Sequence, residues 1–301
     1  MAKIRIGPSG WDYDNWKGDF YPEDLPRTRR LRYVAGRFDT LEVNGSFYSL
    51  LRASTYRDWY QETPRDFRFA VKGSRFITHS KKLADVRLAV ANFMASGILA
   101  LDQKLGPILW QLPARHVFDR DRLDSFLQLL PRTTEEAFVL ADGHDERVPE
   151  PFVGKDEGRS NHLIRHVLEP RNESFFSPEA VGILRDAGVA LAVSHAGDWQ
   201  RREELTAGFA YVRLHGAPET YHSGYGDEEL DGWAGKIRCW AVGEEPEDAA
   251  RITERAAPSR KGRDVYVYFD NDAEGHAPYD ALNLKERLQR GEAAPSKGEE
   301  T

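Results

Sequence analysis

Lys72, Glu169 and His215 are the residues in this sequence best suited to chemistry, each near the outgoing end of a different strand-like run. A carboxylate and an imidazole serve acid–base chemistry near neutral pH. A lysine can share that role, or act as a Schiff-base nucleophile, once burial and cationic neighbours depress its pKa. The same strand ends bring Glu42, Gln111, Arg171, Arg213 and Tyr268 toward them. Lys72, Arg171 and Arg213 make the group locally electropositive, which suits a small anion such as a phosphorylated sugar or another acid, held by charge-assisted hydrogen bonds. Glu42 and Glu169 then act as general bases or as orienting groups, with His215 moving protons.

The elements that would position these groups repeat one pattern. In the run 211–216, period-two alternation sets Tyr211, Arg213 and His215 on one face and Val212 and Leu214 on the other, and Gly216 frees the backbone to turn away. Seven further runs read as strands: 4–7, 40–44, 67–72, 108–112, 163–169, 189–194 and 265–269. In 40–44, Glu42 and Asn44 share the polar face, and in 67–72 Arg68, Ala70 and Lys72 do. Helix-like stretches separate most of them. Apolar stripes mark helices after Thr28, from Ser54 to Pro64, over 83–105, over 121–130, from Pro178 to Gly188, along 230–241 and near 282–288. The order predicts an α/β fold, a TIM-like (β/α)8 barrel in one domain over residues 1–290, with its site at the C-terminal ends of the strands.

A length of 301 residues is ordinary for such a barrel. Hydrophobic residues at 40% and charged ones at 30% belong to a soluble globular chain, and no apolar run approaches the roughly 20 residues a spanning helix needs. The first strand starts too early for a signal peptide, so a cytoplasmic protein with no membrane association is expected. A net charge of −7 argues against broad nucleic-acid binding but permits a local basic pocket. The lone Cys239 reads as helix packing. Protein partners are not readable from the sequence.

Residues 12–24 carry Tyr13, Trp16, Phe20 and Tyr21 after Trp11, so the first loop should pack as an aromatic plug over the barrel mouth. Residues 133–160 read as an inserted excursion before the fifth strand, with one helix near 135–140, and 291–301 as a flexible charged tail. No phosphate-cradling loop, dinucleotide fingerprint or nucleophile elbow is present. A cofactor is therefore not expected. A divalent metal is an alternative, since His79, His195, His215 and Glu169 offer ligands from four loops, although close-spaced ligand motifs are missing and nearby cations oppose a dication. His116, His144, His162, His166 and His222 read as surface or loop residues.

Six motifs stand in register along the chain: IGPSGW at 6 to 11 with its preceding strand, TLEVN at 40–44, FRFAVK at 67–72, LGPILWQLP at 105–113, YVRLHG at 211–216 and VYVYFDNDAEGHA at 265–277. Together they resemble the YecE-like family, domain of unknown function 72, from Ile4 to about Leu288. The resemblance implies a TIM-like barrel without an agreed activity. It implies functional weight at Glu42, Asn44, Lys72, His79, Glu169, Arg171, Arg213, His215, Tyr225, Asn271 and Asp272, which adds Asn44, His79, Tyr225 and Asn271 to the candidate substrate-binding groups. Two positions depart from the family pattern: Glu169-Pro170-Arg171-Asn172 replaces Glu-Phe-Arg-His, and Asp270-Asn271 replaces a pair of asparagines.

Two functions follow. The first is an acid–base enzyme, a hydrolase, lyase or isomerase, acting on a small anionic substrate. The second is a non-catalytic module that binds a nucleotide, a nucleic-acid end or a protein through Trp11, Trp16, Tyr221 and Tyr225. Burying so many charges also suits a salt-bridged polar layer that only stabilises the fold.

Overall fold

The computed structural model describes residues 2–154, 161–197, 199–255, 257 and 260–292. Its strands, all paired in parallel, are β1 (Ile4–Pro8), β2 (Thr40–Val43), β3 (Arg68–Lys72), β4 (Leu105–Leu112), β5 (His166–Pro170), β6 (Ala190–Leu191), β7 (Val193–His195), β8 (Phe209–Leu214) and β9 (Asp264–Phe269). Between and after them lie α1 (Arg30–Ala35), α2 (Gly45–Tyr48), α3 (Ala53–Glu62), α4 (Arg87–Ala95), α5 (Arg120–Leu129), α6 (Thr134–Ala141), α7 (Pro178–Ala187), α8 (Asp227–Ala241) and α9 (Ala277–Glu292). The fold is α/β, with parallel sheets joined by helical crossovers.

The strands form two sheets rather than one closed ladder, in the orders β1-β9-β8-β7 and β2-β3-β4-β5-β6. Two places separate them. Beyond β1 a single bridge joins Ser9 to Glu42, with the Gly10 N–H donating to the Glu42 carbonyl at 2.9 Å. The expected sixth strand is interrupted at Ala192, so β6 pairs with β5 and β7 pairs with β8.

Period-two alternation divides the interior as the sequence suggests. One strand face supplies Ala70, Leu109, Val167, Tyr211, Tyr266 and Tyr268 to a compact buried cluster between the sheets. The other face supplies Ile108, Leu168, Val212 and Val267 to a larger core that receives Leu123, Leu184, Ile237 and Leu284 from the helices. Each such fully buried side chain contributes ~1.5–3 kcal/mol. Capping follows local chemistry. Asp119, Thr133 and Ser177 accept from Arg122, Glu136 and Ala180 N–H at 3.0, 3.2 and 3.3 Å, and Pro178 occupies the first turn of α7.

The long helix expected over 83–105 is broken. Lys82, Leu83 and Asp85 have φ of 49°, 68° and 51°, outside helical space, so α4 starts only at Arg87; a 3-10 stretch, Ile98–Lys104, then carries Asp102 at φ 42°. Gly106 and Pro107 lie inside β4, which begins at Leu105 rather than at the expected 108. A Cβ at Gly106 would come within 2.9 Å of the Phe69 carbonyl, and the β3–β4 register shifts beside it. Strand five starts at His166 rather than Leu163, which is 80% exposed.

The first loop buries Trp16, Phe20 and Tyr21 together as expected. Of the excursion before β5, α6 is present and Phe152 N–H donates to the Ala95 carbonyl at 2.7 Å. Residues 155–160 of that excursion and 293–301 of the expected tail lie outside the described residues. Among the described residues no helix is long and apolar enough to cross a membrane.

Candidate functional site

Arg213 sits at the centre of the site. Alternation along β8 aims it between the sheets, directly above Tyr211, and it is fully buried. Its Nε and Nη2 donate to the two oxygens of Glu42 at 3.0 and 2.7 Å, a bidentate fork. Nη1 donates to both oxygens of Glu169 at 3.1 and 3.0 Å, and Nη2 also reaches Asp270 Oδ2 at 2.9 Å. One guanidinium thus serves three carboxylates from β2, β5 and the end of β9. For Arg213, Glu169 and Asp270, pairing overrides the opposition of burial: Arg213 is raised well above its ordinary value, and Glu169 and Asp270 are held well below the usual carboxylate range by Arg213.

The neighbours complete the network. Ser9 Oγ donates to Glu42 at 2.5 Å and accepts from Asn44 Nδ2 at 2.9 Å; Tyr211 OH donates to Glu42 at 2.6 Å; Ser194 Oγ donates to Glu169 at 2.9 Å. His215 Nε2 lies 3.0 Å from Glu169 Oε1. Its Nδ1 lies 3.1 Å from Asp270 Oδ2. The backbone then turns at Gly216, at φ 89°, where a Cβ would stand 2.6 Å from the Ser223 carbonyl.

A different environment begins at the outgoing rim. Lys72, half-buried at the end of β3, places Nζ 4.5 Å from the centre of the Phe47 ring. Among the described residues no carboxylate stands within 4 Å of it. Burial first, then Arg213, lowers its pKa from 10.5. His79 is lowered to about 4 by burial and by Lys72, Arg75, Arg171 and Arg115, so it is neutral at pH 7 inside a ring of cations. Arg171 lies over Trp199 at 4.1 Å, donates to Tyr221 OH at 2.8 Å and stands 4.0 Å from Glu169. Tyr221 adopts φ 69°, strained for a non-glycine residue, beside that contact. Gln111 is the register partner of Glu169 on β4 and is buried.

The structure therefore brings together Glu42, Asn44, Lys72, His79, Gln111, Glu169, Arg171, Arg213 and His215. Three expected members lie elsewhere. Tyr268 is one layer below, bonded to Thr40 Oγ1 at 2.6 Å. Tyr225 OH accepts from Gly216 N–H at 3.0 Å and meets His195 Nδ1 at 3.1 Å. Asn271 donates to Asp280 at 2.7 Å and to the Ser223 carbonyl at 3.0 Å. Tyr225 and Asn271 thus brace the loops behind the site. Trp16 and Tyr225, proposed as binding contacts, are buried and offer no stacking face.

The histidine reading needs two corrections. His195 alternates with Ser194 along β7, so its ring packs against Trp233 and Tyr225 on the far side from His215. His116 lies in a loop, as expected, but is buried, whereas His166 is neither at the surface nor in a loop: it begins β5, accepts from Trp110 Nε1 at 3.1 Å and is lowered to about 4 by burial. Among the described residues no group of three or more His, Cys, Asp or Glu is arranged to hold a metal ion. The guanidinium of Arg213 fills the space the carboxylates share.

Asp270, Ser194, Phe47 and Trp199 belong to the site and were not among the expected site residues. Parity was the available signal for Asp270, which continues the Tyr266–Tyr268 face. Ser194 was hidden by the break at Ala192, and Trp199 lies in a loop with no periodicity to read.

A family model described as Protein of unknown function DUF72 matches residues 5–300. The UPF0759 protein YunF of Bacillus subtilis is 33% identical over 76 residues, 25% of this chain and 26% of that protein, so the match spans about a quarter of that relative. Among solved structures, a DUF72 family protein from Thermotoga maritima aligns with a TM-score of 0.71 at 24% identity, over 95% of this chain and 99% of the other. Another from Enterococcus faecalis gives 0.66 at 16% identity, over 95% of each chain. At these identities the likeness speaks to the fold.

Proposed function

The chain belongs to the DUF72 family, whose description assigns no activity, and from that premise we propose an acid–base enzyme acting on a small anionic, phosphorylated or carboxylated, substrate. In this reading the two sheets act as one (β/α)8 barrel, and the substrate sits at the rim above Arg213. Lys72 carries the proposal. It is a half-buried ammonium with no carboxylate within 4 Å among the described residues, and burial lowers its pKa, the direction that suits a proton-transfer group. Arg171 and the cations around His79 bind the anion. Glu169, saturated by Arg213, Ser194 and His215, is too weak a base to take a substrate proton and orients His215 instead. Hydrolysis, elimination and isomerisation all fit a lysine base beside a fixed cation.

A thermal-shift screen of phosphorylated sugars and carboxylates tests this reading, with turnover assays on any compound that binds. The expected result is a selective rise in Tm that Arg171→Ala removes, with turnover lost in Lys72→Ala while binding persists. Full turnover in Lys72→Ala would sink the assignment. The lowered lysine also fits Schiff-base chemistry, for which borohydride trapping of a carbonyl substrate on Lys72 is the direct check.

A further inference from the structure

The inner faces of the strands carry charge at both ends, and the incoming end is not explained by the rim site. A cavity of about 580 Å³ opens there, lined by Lys3, Arg5, Arg68 and Arg165 against Asp102 and Asp264. Its volume falls in the range of small-molecule sites. Both carboxylates are already engaged. Asp264 accepts from Arg165 at 2.7 Å and from Lys3 N–H at 2.9 Å, and Asp102 faces His162 at 3.2 Å. Arg5 is buried and spends Nη1 on the Asp66 carbonyl at 2.9 Å and the Asp39 carbonyl at 3.2 Å. Arg68 is the group left over. It donates to the Phe67 carbonyl at 2.9 Å, and among the described residues no carboxylate stands within 4 Å of it. Burial, then Arg5, lowers its pKa, and Arg165 adds to the repulsion.

Strand parity explains the convergence. Arg68 shares the inner face of β3 with Ala70 and Lys72, Arg5 pairs in register with Tyr266, and Arg165 enters just before β5 with its guanidinium bonded to Tyr266 OH at 3.0 Å. The packed layer of Ala70, Leu109, Val167, Tyr211 and Tyr268 separates this cavity from the rim. Three guanidiniums around a polar cavity, one lacking a counter-charge, match the bidentate geometry and multiple charge of phosphoryl groups better than those of a single carboxylate.

We propose that the cavity at the incoming ends of the strands is a second anion site, distinct from the rim, that takes a compact oligophosphate through Arg68, Arg5 and Arg165. Titration calorimetry of the full chain with pyrophosphate tests it, with succinate as the comparator. Pyrophosphate is expected to bind and succinate to bind more weakly. Arg68→Gln should weaken pyrophosphate roughly tenfold or more, Arg68→Lys should fall between, and Lys72→Ala should leave the titration unchanged. The melting temperature of ligand-free Arg68→Gln should not fall, because a repelled charge is removed; Arg68→Lys keeps the test valid if the glutamine variant misfolds. Equal pyrophosphate affinity in both Arg68 variants and wild type overturns the proposal. So does binding that responds to Lys72→Ala and not to Arg68, which assigns the phosphate to the rim, or no binding at all.

Discussion

Arg213 and Arg68 are the same residue type on inner strand faces, at opposite ends of one packed interior, and they have opposite surroundings. Arg213 is fully buried and meets Glu42, Glu169 and Asp270 at 2.7 to 3.1 Å. Arg68 is only half-buried, has no carboxylate within 4 Å among the described residues, and is opposed by the charges of Arg5 and Arg165. The matched charge is a structural device whose energy is committed in the folded chain. The unmatched one, like Lys72 at the rim, has no carboxylate within 4 Å among the described residues, and burial lowers its pKa. Pairing, more than residue type, separates the two ends.

The largest expected effect breaks the matched end. Arg213→Met takes the ion-pairing guanidinium from Glu42 and Asp270 and leaves Glu169 with only Arg171 at 4.0 Å, and losing one partner of a buried pair costs about 3–5 kcal/mol. Urea denaturation should show at least that loss, or no folded protein. A variant that keeps wild-type stability would mean the carboxylates are solvated, and the comparison would collapse. Arg68→Met removes a charge of the same type and should leave stability unchanged or raise it by ~0.5 kcal/mol. Similar losses in both variants would show that the two arginines do the same structural work.

Lys72→Met should abolish turnover while anion binding persists, and raise stability by ~1 kcal/mol, about 2–4 °C in Tm. The sign follows from linkage. The folded-state pKa of Lys72 lies below its unfolded value of 10.5, so the unfolded chain holds the proton more firmly and the charge costs stability at neutral pH. The gain in the variant is therefore full below the folded-state pKa and fades as pH climbs toward 10.5. His79 makes the complementary prediction on the acid side. With a folded value of about 4 against 6.5, it stays neutral while the unfolded chain takes its proton first, so stability falls as pH drops through that window. His79→Gln should flatten the decline measured by denaturation at pH 4 to 6.5.

How much of this was legible follows from parity. The alternation of Tyr211, Arg213 and His215 fixed which face they share, and the same reasoning on 40–44 and 67–72 placed Glu42 and Lys72 beside them. Parity cannot show a break, so the interruption at Ala192, which separates β6 from β7 and swings Ser194 inward and His195 outward, could not be read. Backbone exceptions defeated the helix pattern over 83–105, where Leu83, Val86 and Val90 are apolar at helical spacing but Lys82, Leu83 and Asp85 take left-handed φ. Whether a buried charge is paired depends on residues far apart in the chain. Arg213 meets Glu42 across 171 positions and Glu169 across 44, and no local pattern carries that information.

A smaller change than the loss of Arg213 sharpens the boundary between the two kinds of charge. Asp270 touches both: it accepts from Arg213 at 2.9 Å, and its charge supports the ammonium of Lys72. Asp270→Asn keeps the shape and leaves Arg213 with Glu42 and Glu169, so the loss in stability should stay within about 1 kcal/mol. Removing a nearby negative charge should lower the Lys72 pKa further, and lower Asp272 from its raised value of about 7, since Asp270 contributes to that rise after burial. NMR titration of the Lys72 side chain in wild type and variant reads the first shift directly. A downward shift would mean that Asp270 sets the protonation of the rim from within the matched network. An unchanged Lys72 would mean that Arg213 screens Asp270 completely, so that the paired core and the unpaired rim titrate independently.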